Sequence, residues 1–110
     1  MTEEKNYYEV LGVSETADEN EIRARYIALL RKHHPDQNVG LSESEIIERE
    51  KIFKEVSEAG SVLTKSERRR AYDLYLKVIK KSGNIYKNYR FRYEDFSDLN
   101  NNFSYNSNSN

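Results

Sequence analysis

The chain has 110 residues, of which 36% are hydrophobic and 34% charged, which allows one small domain with a thin core and little more. Its 18 basic and 19 acidic residues nearly cancel, so any electrostatic preference for a partner must come from local segregation of charge. It has no cysteine, which excludes disulfides, thiolate metal sites and thiol nucleophiles. The segment Met1-Thr2-Glu3-Glu4-Lys5 is polar and leads into no long apolar run, so neither a signal peptide nor a membrane span is expected, and a cytoplasmic or nuclear location is the default.

Asn6 followed three residues later by Glu9 predicts a capping box on a short first helix, with Gly12 as its left-handed stop. Tyr8 and Leu11 share its buried face, and Tyr7 is the more exposed tyrosine. Asp18-Glu19-Asn20-Glu21 reads as a second capping box, opening a helix from about Glu19 to His33. Ile22, Tyr26, Leu29 and His33 form one stripe of it, while Arg23, Ile27 and Arg31 form a row on a solvent-facing side. One face packs and the other is available to a partner.

Pro35 cannot donate an intrahelical bond and disfavours helical geometry before it, so the helix ends near His33 and His34-Pro35-Asp36 begins a loop that continues through Gly40 to Leu41. Ser42 with Glu45 caps a third helix reaching about Leu63, with Phe53, Val56, Ala59, Gly60 and Leu63 as its buried stripe. Packing the two stripes gives an antiparallel hairpin with the tripeptide at the exposed bend. The third helix is acidic outside, with Glu43, Glu45, Glu48, Glu50, Glu55 and Glu58, whereas the second has no acid between Ile22 and His33. A fourth, basic helix runs from Ser66 to about Lys81 with Tyr72, Leu76 and Ile79 on one side, and Ser82-Gly83-Asn84 ends it. Residues 1–83 are therefore read as one all-α domain. Residues 84–110 are read as an Asn/Ser/Tyr-rich tail with too few aliphatic side chains to offset the entropy of ordering, expected to be largely disordered.

His33, His34 and Asp36 are consecutive or nearly so and lack helical ligand spacing, a third histidine or any cysteine, so no metal site, no cofactor and no catalytic centre is expected. By itself the tripeptide is an ordinary helix-ending turn. With Asn6-Tyr7-Tyr8-Glu9-Val10-Leu11-Gly12-Val13 before it, and Phe53-Lys54-Glu55-Val56-Ser57-Glu58-Ala59 and Arg69-Arg70-Ala71-Tyr72-Asp73 after it, the order of motifs resembles the J domain of DnaJ-type co-chaperones from about Asn6 to Asp73. The resemblance implies an all-α J-domain-like fold. It further implies docking on a DnaK-type heat-shock chaperone through His34, Pro35 and Asp36 with Arg23, Arg25, Tyr26, Arg31 and Lys32, and stimulation of that chaperone's ATP hydrolysis. A carboxylate such as Asp36 can engage an arginine of the partner, the proline limits the loop's entropy, and the cations steer onto an acidic surface.

Four positions depart from the family pattern. Ile27 and Ala28 stand where two basic residues are common, Gly60 replaces an aromatic, and Lys65 replaces an Asp. Gly60 is expected to cost about 1 kcal/mol of helix propensity and to remove packing. No zinc-binding cysteines or Gly/Phe region follow, which points to a minimal, J-domain-only member whose tail could hold a client or adaptor protein. Two other readings compete. Lys77, Lys80, Lys81, Lys87, Arg90 and Arg92 interleave with Tyr86, Tyr89, Phe91 and Tyr93 as in a nucleic-acid module, but Glu94, Asp95 and Asp98 follow at once. A J-like adaptor that only binds has no need of an intact His34-Pro35-Asp36.

Overall fold

A computed structural model describes residues 5–82 and 90–96. Among these the chain is all-helical: α1 Tyr7–Leu11, α2 Glu19–Lys32, a short 3-10 turn Pro35–Gln37, α3 Glu43–Leu63 and α4 Ser66–Ser82. The chain forms two compact units, Met1–Thr64 and Lys65–Asn110.

In the first unit, side-chain caps set where the helices begin. Asn6 Oδ1 accepts from the Glu9 amide and Glu9 Oε1 accepts from the Asn6 amide, both at 2.9 Å, so two end donors that the helix itself cannot satisfy are paired. Gly12 ends α1 at φ 71°, a left-handed conformation that other residues adopt at a cost. Asp18 accepts from the Glu21 amide at 2.8 Å, and this forward bond is the half of the expected reciprocal pair seen among the described residues. Ser42 and Glu45 form the complete box on α3. The Ser42 backbone and hydroxyl bonds hold the Glu45 carboxyl below its ordinary value of 4.5.

α1 packs on α2 and α3, and α2 packs on α3. Tyr8, Leu11, Ile22, Val56 and Leu63 are the largest fully buried side chains, joined in the core by Ala17, Ala59 and Val62. Tyr7 is half-buried and its hydroxyl donates to Glu58 Oε2 at 2.7 Å, tying α1 to α3. Tyr26 lies against Gly60, while Arg49, earlier in α3, reaches Lys32 at the end of α2, so the two helices run antiparallel. On α2 only Ile22 is buried, and Tyr26, Leu29 and His33 of the expected stripe are half-buried. Helix α2 ends at Lys32, one residue before the expected boundary, and His33 serves as its C-cap.

Gly60 does not remove packing as the sequence suggests. A Cβ built on it would lie 2.1 Å from Cδ1 and Cε1 of Tyr26, so the missing side chain is what admits the tyrosine ring.

In the second unit Ala71 and Tyr72 are buried, and Leu76 and Ile79 are half-buried on the expected side of α4. Phe91 meets Tyr72 edge-on with centroids 5.0 Å apart and lies 5.3 Å from Tyr75; Phe96, itself buried, lies 5.8 Å from Tyr75. Residues 90–96 are thus ordered on α4 by their rings, the part of the tail whose composition is richest in aromatics. The disorder expected for residues 84–89 and 97–110, and the helix stop at Gly83-Asn84, lie outside the described residues.

Candidate functional site

The bend between α2 and α3 carries the tripeptide. Having an extended backbone at φ −62° and ψ 143°, His34 caps the 3-10 turn with its own ring, Nδ1 accepting from the Asp36 amide at 3.1 Å. Nδ1 also lies 3.6 Å from Asp36 Oδ2, but an ion pair there would need a proton on the nitrogen that the shorter contact uses as an acceptor. As an acceptor, Nδ1 carries no hydrogen in this arrangement, which places the ring hydrogen on Nε2; the His34 side chain is 52% exposed and that of Asp36 88% exposed. Gln37 donates its amide to the His34 carbonyl at 2.8 Å and Asn38 to the Pro35 carbonyl at 3.0 Å, closing the turn. The ring of Phe53 meets that of His34 edge-on at 6.0 Å.

The residues expected at the site fall into three groups. Arg31, His34 and Asp36 come together, with Gln37, around an open depression. Pro35 and Lys32 are exposed beside them. Arg23 is exposed about two helical turns away along α2, 4.0 Å from Glu19 in a solvent-screened pair. Arg25 and Tyr26 face elsewhere: Arg25 Nε donates to the Leu11 carbonyl at 3.2 Å, binding the C-terminal end of α1, and the Tyr26 ring fills the space over Gly60. Ile27 is 41% exposed, on the outward row with Arg23 and Arg31.

Sequence reasoning missed Gln37, Asn38 and Arg49. Arg49 donates from Nη2 to the Lys32 carbonyl and from Nε to Asn38 Oδ1 at 3.0 Å. A signal was present: Arg49 stands four residues before Phe53, hence on the same face of α3, among acidic neighbours that point outward. His33 has a shielded Nδ1 with no hydrogen-bond partner among the described residues. Its pKa lies below the ordinary 6.5, first because burial penalises the cation and then because Arg49 and Lys32 are close.

Among the described residues no group of His, Cys, Asp and Glu is placed to hold a metal ion, and no helix is long and apolar enough to cross a membrane. The sequence model of the DnaJ domain family matches residues 6–73, from the capped start of α1 into α4, with the exposed tripeptide between. The chain belongs to the DnaJ domain family. Members of that family are, in general, co-chaperone modules that partner with seventy-kilodalton heat-shock chaperones.

Proposed function

We propose that this chain docks on a DnaK-type chaperone through His34, Pro35 and Asp36 together with the basic side of α2, and stimulates ATP hydrolysis by that chaperone, with no reaction catalysed by the chain itself. The observation that carries this reading is the turn: its polar groups point outward, its backbone bonds are satisfied internally, and Arg31 stands beside it. A preformed turn loses little entropy on binding, so the energy of new contacts goes into the complex. Within α2, Arg31 and Lys32 border the turn and supply the contact nearest it, Arg23 extends the cationic row, and Arg25 and Tyr26 support the surface from behind. Exposed Ile27 interrupts the cations, which suits a partner surface with an apolar spot. We read residues 1–83 as the docking domain, the C-terminal tail as a site for a client or adaptor, and the cytoplasm or nucleus as the working compartment.

The nucleic-acid alternative is weakened by the rings themselves. Phe91 packs against Tyr72 and Tyr75, and Tyr93 has the Arg68 guanidinium 5.7 Å from its ring centre, so these faces are engaged within the chain.

The test is a steady-state ATPase assay with purified DnaK-type chaperones. His34→Gln is expected to abolish stimulation while changing the melting temperature little, because the side chain is exposed and its bond within the chain is a single exposed cap on the turn. A His34→Gln protein that stimulates as well as the parent would overturn the docking role.

A further inference from the structure

We propose that Arg49 is a positioning residue for the His34-Pro35-Asp36 turn, gripping the Lys32 carbonyl before it and the Asn38 side chain after it; the functional half of this inference rests on the co-chaperone reading above. None of residues 33–38 is buried, so apolar burial does not fix the turn, and its shape must be set by directional contacts. The turn's own bonds supply some of them, and one guanidinium supplies the two that tie it to α3. Nη2 binds the carbonyl of Lys32, the last residue of α2 and one of the end acceptors that the helix cannot satisfy. Nε binds the side chain of Asn38, the C-cap of the 3-10 turn.

Asn38 in turn donates its amide to the Pro35 carbonyl at 3.0 Å. The contacts therefore run from Lys32 through Arg49 to Asn38, bridging the two flanks of the tripeptide, and on from Asn38 to Pro35 within it. The planar fork of arginine fixes the angle between its two bonds, whereas a lysine ammonium imposes no such geometry. One helical turn further along α3, Phe53 sets its ring edge against His34. The third helix thus holds the turn's flanks with one residue and its first side chain with another.

A bland alternative is that Arg49 merely caps α2. Two substitutions separate them. Arg49→Met keeps the apolar stem and removes both bonds, while Asn38→Ala leaves the bond to Lys32 and cuts the one to the turn. If Arg49 positions the turn, amide exchange at Gln37 and Asn38 in the protein alone accelerates in both variants. The concentration giving half-maximal ATPase stimulation rises, on the order of tenfold for Arg49→Met, as expected for loss of charge-assisted bonds, with the maximal stimulation retained. Arg49→Lys recovers only part of the loss. Unchanged exchange at both amides in both variants would overturn the clamp, as would an Asn38→Ala protein with parental exchange beside an Arg49→Met protein that loses only melting temperature. If the parent stimulates none of the chaperones, the co-chaperone reading fails, and the exchange rates still decide the clamp.

Discussion

The two ends of the α2–α3 hairpin are held by different forces. At the end remote from the bend, Ile22, Val56, Ala59 and Leu63 are fully buried and the Tyr26 ring sits on the backbone of Gly60. At the bend no residue from His33 to Asn38 is buried, and the pieces are joined by hydrogen bonds from Arg49 and one edge contact between rings. Complete burial of one aliphatic side chain contributes about 1.5–3 kcal/mol, whereas a net hydrogen bond contributes about 0.5–1.5 kcal/mol. Stability is therefore concentrated away from the turn, and the turn can be altered for binding without unfolding the hairpin.

The largest effect that sharpens this contrast comes from shortening apolar residues along α2. Ile22→Ala, at a fully buried position, should cost about 2–5 kcal/mol in urea unfolding. Leu29→Ala, at a half-buried position nearer the bend, should cost less than about 2 kcal/mol, below what its place in the apolar stripe suggests. Equal losses would mean that the core continues to the bend and that the two ends do not differ.

Gly60→Ala tests the close approach itself. Propensity alone would favour alanine by about 1 kcal/mol, but overpacking costs about 1–3 kcal/mol, and a contact at 2.1 Å from two carbons of a ring makes the second term the larger. The variant should be net destabilised. Combined with Tyr26→Ala, which removes the obstructing ring, the same Gly60→Ala change should become neutral or stabilising, and additive losses in this cycle would remove Tyr26 as the cause.

Much of the helical frame was legible in the sequence because periodicity and capping are local signals. Asn6 with Glu9, Ser42 with Glu45, and the stripe Val56, Ala59, Leu63 all report through short spacings, and the structure has them. Pro35 likewise announced the bend. What was not legible depends on contacts between residues far apart in the chain. The role of Gly60 requires Tyr26 on another helix, and the link from Arg49 to Lys32 and Asn38 spans 17 and 11 residues. The split among the site cations has the same origin, since nothing near Arg25 in sequence shows that the Leu11 carbonyl will lie within 3.2 Å of it. The packing of Phe91 and Phe96 against α4 was hidden by a composition that is polar on average but holds its rings in a few places.

The smallest effect concerns His33, the half-buried residue that ends α2 at the bend. Its folded-state pKa lies below the ordinary 6.5, through burial and then the cations of Arg49 and Lys32. Below that value the unfolded chain takes up the proton more readily than the folded one, so stability rises with pH across this window. The contribution is complete above about pH 6.5 and is lost as pH falls through the lower folded value. A separate loss follows at more acidic pH as Glu45, whose carboxyl is held below 4.5, is protonated and its bonds to Ser42 weaken. His33→Phe removes the first of these and leaves the second, so the urea midpoint of this variant should change less than the parent's between about pH 7.5 and 5.5. Identical slopes for the two proteins would show that His33 titrates alike folded and unfolded. Arg49→Met should move the His33 titration, followed by the ring's proton resonances, upward toward its ordinary value, because the guanidinium that ties down the turn also repels a protonated ring more strongly than Lys32 does.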